Sequence, residues 1–311
     1  MTTPMLDSAP TAAPGGSLAR WKQRNEGTLD NWMRQARRFR RNRLAVTGLA
    51  ILIVLILVSV FAPWIAPFPK DASGAVHVRD ALKAPSFDHP FGTDDLGADV
   101  FSRVLYGGRY SLSVGLGVIS FAAIVGIFLG SVAGYFGGIV REIIMRITDI
   151  FLTVPGIVLA LAIGAALGPG LVNAMFALAI VWWPGYCRLA QGQVMSLREQ
   201  TYVESARVVG AGERRIIFRH ILPNSMTSFL VKISMDIGFA ILSAAGLSFI
   251  GIGAQPPIPE WGAMVSLGRG YMPNWWWIAT FPGLAIFLSV FAFNMLGDGI
   301  RDALDPRGIR S

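Results

Sequence analysis

Cysteine is nearly absent from this 311-residue chain. Cys187 is the only one, so neither a disulfide framework nor a cysteine metal site can form within it, and its apolar setting beside Trp182, Trp183 and Pro184 predicts a packed thiol. Lysine is almost as scarce: Lys22, Lys70, Lys83 and Lys232 are the full set. None follows a glycine-rich phosphate loop, which excludes a nucleotide-cradling GxxxxGK. The three histidines, His77, His89 and His220, fall outside the long apolar runs, and HExxH, GxSxG and Cys/His metal spacings are missing. An enzyme embedded in a membrane would need such groups inside its spans. Charged residues make up 15% of the chain against 53% hydrophobic, and the mean hydropathy is +0.52. That balance belongs to a polytopic membrane protein.

The apolar runs predict six spans. Leu44 to Ile65 is 22 residues long, enough to cross a bilayer and too long for a cleaved signal. Tyr110 to Phe136 is uncharged and sets Ala122, Gly126, Gly130 and Gly134 on one helical face, where small side chains admit a close helical neighbour, within the chain or in a partner. Ile150 to Leu167 and Leu171 to Cys187 form a hairpin about Gly168-Pro169-Gly170. The last two spans run from about Phe229 to Gly253 and from about Trp275 to Gly297, the latter opening on Trp275, Trp276 and Trp277 as an interfacial anchor. Before the first span, residues 1 to 17 are expected to be disordered. The basic stretch Leu18 to Arg43 suits either an amphipathic helix on the headgroups or a solvated tail that only sets topology.

The net charge of +8 does not point to nucleic acid, because it is distributed by side of membrane. With the N-terminus inside, the tail holds nine Arg and Lys, the loop after span two holds Arg141 and Arg146, the loop after span four holds six, and the C-terminal tail holds three. The external loops hold six, and Lys232 lies within span five. This bias predicts an all-α membrane protein of six transmembrane helices with both termini cytoplasmic. The organisation is a tail 1–43, a first helix 44–65, an extracytoplasmic domain 66–109, a five-helix core 110–299 containing an inner loop 200–223, and a tail 300–311. In the external domain, Asp88, Asp94, Asp95, Asp99 and His89 lack the alternation of a calcium loop and are expected to cap turns and one helix start, Asp99 in particular.

The inner loop is the most shaped polar segment. YVESARVVGAGERRIIFRHILP, Tyr202 to Pro223, predicts one helix from about Gln200 to Val209 and another from about Glu213 to Ile221. Gly210 and Gly212 permit a reversal between them, and the loop ends at Leu222-Pro223, with Pro223 setting the direction of span five. Glu204 complements the first helix dipole, and the small Ser205-Ala206 pair leaves a surface that fits a partner's groove.

Glu204-Ser-Ala-Arg-Val-Val-Gly210, followed after nine residues by His220-Ile-Leu-Pro223, resembles the EAA loop of ABC-transporter permeases. HPFGTDDLGADVFSRVLYGGRYSL at His89 to Leu112, SFIGIGAQPPIPEWGAM at Ser248 to Met264 and LGDGIRDALDPR at Leu296 to Arg307 are similar to the C-type subunit of dipeptide, oligopeptide and nickel importers. Ser205, His220 and Ala98 depart from that pattern, which has alanine, isoleucine and arginine there. The resemblance implies a type I importer permease in a bacterial or archaeal inner membrane. Its expected partners are a second homologous permease subunit, two ATP-binding subunits that hold the ATP and Mg, and an extracytoplasmic substrate-binding protein. The chain itself would carry no cofactor and no catalytic residue. It implies that Tyr202, Glu204, Ser205, Ala206, Gly210, Gly212, His220, Leu222 and Pro223 couple to the ATPase. Peptides are the expected cargo, with nickel or another small solute as the alternative.

Charges within spans mark pathways by default. Lys232 and Asp236, four apart on one helical face, and Asp149 at the inner start of span three are therefore candidates for the translocation path, although snorkelling to the near boundary also accounts for them. A gradient-driven secondary transporter is the rival from another class. It predicts inverted repeats and midplane charge, and neither is evident in the sequence.

Overall fold

The computed structural model describes residue 33 and residues 35–304. The predicted tail 1–17 lies outside them, as do residues 18–32 and Arg34 of the basic stretch Leu18 to Arg43 and the chain after Leu304; the described end of that stretch is helical over residues 35–41. The principal helices are α1 Arg43–Val60, α2 Val100–Phe136, α3 Gly138–Thr153, α4 Gly156–Leu167, α5 Leu171–Arg198, α6 Thr201–Val208, α7 Leu222–Ile250, α8 Trp261–Gly268 and α9 Trp277–Leu304. Among the described residues the only β pairing is an isolated bridge between Thr93 and Asp99.

The most extensive helix pair is α2 on α5, and the small-residue face of α2 is the reason. A Cβ built on Gly126 would lie 2.5 Å from Tyr186 Cβ, on Gly130 2.8 Å from Ala190 Cβ, and on Gly134 2.7 Å from the Gln191 carbonyl. The partner helix is thus inside the chain, and backbone proximity replaces the hydrophobic drive that lipid does not supply. α7 packs on α9, α2 and α5, while α1 lies against α9 on the outside of the bundle. Asn42 caps α1, accepting from Ala45 N at 3.1 Å, and donates to Asp302 on the last turn of α9 at 3.0 Å. α9 therefore continues as helix into the predicted C-terminal tail.

Among the described residues, four stretches have the length and apolarity to cross a membrane: Arg43–Val60, Val100–Phe136, Glu213–Ile250 and Trp277–Leu304. A fifth is obtained if α3 and α4 form one span, bent by 91°. The bend falls at Val154-Pro155, where proline has no N–H to continue the ladder. The remaining predicted span, the fourth, Leu171 to Cys187, falls within α5, which carries Asn173, Arg188, Gln191 and Gln193. Packed among α2, α4 and α7, it buries Ala177, Leu178, Tyr186, Cys187 and Ala190 against protein, and it is not among the stretches apolar enough to cross.

The segment from Phe61 to Asp99 holds one short helical turn, Ala62–Ile65, and two 3-10 turns, Pro69–Ser73 and Val78–Asp80, in otherwise irregular chain, and α2 begins at Val100, so the last ten residues of the predicted external domain belong to the helix. Asp99 is the predicted cap, accepting from Ser102 N at 2.7 Å. Asp94 closes a turn through Leu96 N and Ala98 N and pairs with Arg103 at 2.9 Å. Burial pushes the Asp94 carboxyl above its ordinary value, and the Arg103 guanidinium opposes that shift. Asp71 receives Asp99 N, and His77 and His89 pair with Asp71 and Asp99. Among the described residues no three His, Cys, Asp or Glu groups converge as a metal site. Trp277 is not an interfacial anchor: it is buried and donates Nε1 to the Thr93 carbonyl at 3.1 Å, whereas Trp276 is exposed. Glu260 caps α8 through Gly262 N and Ala263 N and accepts from Ser111 of α2, fixing the SFIGIGAQPPIPEWGAM segment to the bundle.

Candidate functional site

The polar loop between α5 and α7 has its own small core. Val203 and Ala206 of α6 meet Ile216, Ile217 and Ile221, and this cluster packs on Tyr135 at the end of α2 and Val194 of α5. Arg198 donates to the Tyr135 carbonyl at 2.7 Å, which satisfies one of the open carbonyls at the end of α2. Arg207 lies over the Tyr135 ring at 5.8 Å. The loop is therefore joined to two long helices by both packing and polar contacts.

α6 ends in a Schellman motif. Gly210 has φ +80°, its N–H reaches the Arg207 carbonyl at 2.9 Å, and Ala211 N reaches the Ala206 carbonyl at 3.0 Å. Gly212 has an ordinary φ of −66°, so the left-handed requirement falls on Gly210 alone. Beyond it the chain forms a helical turn Glu213–Ile216, a π-helical segment Ile217–Ile221, and then α7. The predicted stop at Leu222-Pro223 does not occur. Leu222 N bonds to the Ile217 carbonyl, five residues back. This widened turn accommodates the missing N–H of Pro223, so helix runs unbroken from Glu213 to Ile250.

The expected residues divide between two faces. Tyr202, Glu204, Ser205, Gly210, Gly212 and Pro223 are exposed, and His220 and Leu222 are half-buried. Ala206 is buried, so of the predicted small-residue surface only Ser205 faces outward, with its hydroxyl bonded back to the Thr201 carbonyl at 2.9 Å. Tyr202 and His220 are brought together through Asn224, which donates to the Tyr202 hydroxyl at 3.3 Å and to the His220 carbonyl at 2.6 Å. The outer face also shows large apolar side chains: Val208 is 88% exposed, Val209 82% and Phe218 63%. Apolar side chains this exposed on a polar loop form a surface suited to a partner.

Within the bundle, Lys232 Nζ lies 2.9 Å from Asp236 Oδ2, as the four-residue spacing predicts, and 5.1 Å from the centre of the Tyr186 ring. The buried Tyr186 hydroxyl and Asp236 Oδ2 make no aligned hydrogen bond. Asp149 of α3 is apart from this pair and bridges to Arg188 of α5. Charge counting places Arg188 in the loop after span four, whereas the structure places it in α5. The hairpin register could have found the partnership, because the two residues stand nearly equidistant from Pro169.

Residues 126–310 match the family described as binding-protein-dependent transport system inner membrane component, and residues 31–85 match the N-terminal TM domain of oligopeptide transport permease C. The chain is 48% identical over 264 residues to the probable D,D-dipeptide transport system permease protein DdpC of Escherichia coli (strain K12), covering 85% of this chain and 88% of that relative. It is 48% identical over 276 residues to the glutathione transport system permease protein GsiD of Escherichia coli O157:H7, covering 89% and 90%. A chain in a solved structure of the MetNI methionine ABC transporter, inward facing, superposes with a TM-score of 0.55 at 16% identity, covering 66% of this chain and 98% of that one. That last likeness is one of fold.

Proposed function

Since the chain belongs to the family of binding-protein-dependent transport-system inner membrane components, we propose that it forms half of the translocation pathway of a peptide importer and takes its drive from a separate ATPase through residues 202–223. The observation that carries this reading is the two-faced loop: an inner face packed on α2 and α5, and an outer face of exposed Val208, Val209 and Phe218 beside Glu204. A push at Phe218 enters α7 directly, because helix is continuous from Glu213, and a push on α6 reaches it through the packing of Val203 and Ala206 on Ile216, Ile217 and Ile221. Alternating access then follows as rigid rocking of the bundle between two states.

In this proposal both termini and the 202–223 loop are cytoplasmic, residues 61–99 face the opposite side, and α5 crosses as the remaining span of six; the Arg and Lys bias supports that orientation. A second permease subunit completes the pathway, two ATPase subunits hold ATP and Mg, and an extracytoplasmic binding protein delivers the cargo. The relatives' names, D,D-dipeptide and glutathione transport, favour a peptide over nickel. Lys232, Asp236 and Asp149 border the path.

Gly210→Pro and Glu204→Lys test the coupling role in proteoliposomes containing the assembled importer. Proline cannot adopt φ +80° and removes a donor. Lysine at 204 reverses the charge in the first turn of α6. ATP hydrolysis without uptake is the expected result, with membrane insertion intact. Wild-type transport by both variants would refute coupling through this loop.

A further inference from the structure

A cavity of about 310 Å³ opens between α4, α5 and α7, walled by Ile157, Val181, Trp182, Gly185, Ser243 and Lys232. Lys232 is the only lysine among the described helical spans. An ammonium within an apolar span is costly, and it persists where it is paired or used. Here it is paired asymmetrically. The Lys232 side chain is 33% exposed and lines the cavity, whereas its counter-ion Asp236 is 11% exposed and stands behind it. The Tyr186 ring flanks the ammonium on the protein side. Lys232 has three donors, and Asp236 is the one carboxylate within ion-pair distance of it among the described residues. Gly185 lies opposite: a Cβ built there would sit 3.9 Å from Lys232 Cε, so a longer side chain would take up the space beside the ammonium.

We propose that Lys232 is a specificity-determining residue of the path, and that this cavity receives the carboxylate of a solute in transit. The proposal rests on the importer reading above and adds the chemical class that the path favours. A peptide's terminal carboxylate meets a held cation with a free cavity face, while the apolar wall of Trp182, Val181 and Ile157 takes a side chain without a fixed hydrogen-bond demand. A bare divalent cation would meet the ammonium first and be repelled. Asp236 keeps Lys232 extended and limits its pull, so the carboxylate is held weakly enough to move on.

The test uses the complete importer in proteoliposomes with two probes: a dipeptide with a free C-terminal carboxylate and the same dipeptide as its C-terminal amide, both at saturating concentration. The binding protein is common to all arms, so a change in the acid-to-amide uptake ratio between permease variants arises in the permease. Lys232→Gln is expected to lower the ratio about tenfold, the loss of roughly one charge-assisted contact (~1.4 kcal/mol), while Lys232→Arg retains most of it. Lys232→Gln/Asp236→Asn, which leaves no lone buried carboxylate, is expected to insert normally and show the same loss. An unchanged ratio in Lys232→Gln overturns the proposal. So does an equal fall for both peptides in the double variant, which would assign the pair to holding α7 against α5. Absence of ATP-dependent uptake of either peptide by the wild-type complex overturns the peptide-importer reading, and this inference with it.

Discussion

Gly210→Ala isolates the conformational requirement of the loop from its packing. The glycine sits at φ +80° with no atom within 4 Å of where a Cβ would stand, so alanine there meets strain and no clash. Gly212, two residues on, has equally open space and an ordinary φ, and Gly212→Ala is the matched control. A left-handed backbone costs an L-residue about 1–2 kcal/mol, which corresponds to a roughly 5–30-fold shift in the population holding the motif closed. The two amides that close it, Gly210 N on Arg207 O and Ala211 N on Ala206 O, are direct reporters. Hydrogen exchange measured by mass spectrometry on the 201–216 peptide of the membrane-embedded complex should accelerate by that factor in Gly210→Ala. In Gly212→Ala it should stay level or slow, since alanine at a compatible φ reduces the freedom of the open state. Equal acceleration in both variants would refute the reasoning, because it would mean that residue size matters and backbone handedness does not. In the same preparations Gly210→Ala should raise the ATP consumed per solute taken up.

Gly130→Leu forces a side chain into the 2.8 Å approach of Ala190 and should lower the thermal midpoint of the purified complex by the equivalent of about 1–3 kcal/mol or more. Gly192→Leu, on an open face of α5, should be close to neutral in the same assay. Glu260→Ala removes the acceptor of two helix N–H groups and of Ser111, and should cost about 2 kcal/mol by thermal or denaturant melting. Trp277→Phe leaves the Thr93 carbonyl without its donor. The expected loss is about 1–2 kcal/mol, seen as faster proteolysis within residues 61–99 while the spans stay protected.

Local patterns carried far into this fold because they rest on local physics. Small residues every fourth position on α2 announced a close neighbour, Asp99 announced a helix start, and the spacing of Lys232 and Asp236 announced a pair, each within one or two turns of chain. The errors fall where distant segments meet. The small pair Ser205-Ala206 predicts an outward surface, yet Ile216 and Ile221 fold back to cover Ala206. Trp277 looked like a membrane anchor until the Thr93 carbonyl, 184 residues away, claimed its indole N–H. Arg188 counts as a loop charge where the apolar run ends, yet α5 extends past that run and Asp149 across the hairpin holds the guanidinium. Leu222-Pro223 reads as the end of the loop, with Pro223 setting the direction of span five, but a π-helical turn just before it absorbs the missing hydrogen bond and the helix runs through.

By itself the sequence determined that this is a helical membrane chain with no nucleotide loop and one elaborated polar loop, because hydropathy, charge bias and motif spacing are properties of contiguous residues. Which face of that loop turns inward, how its second half runs on into α7, and which member of the Lys232–Asp236 pair looks into the cavity were decided by tertiary structure. Those outcomes depend on competition for burial among α2, α5, α7 and the loop, and no single segment contains that competition.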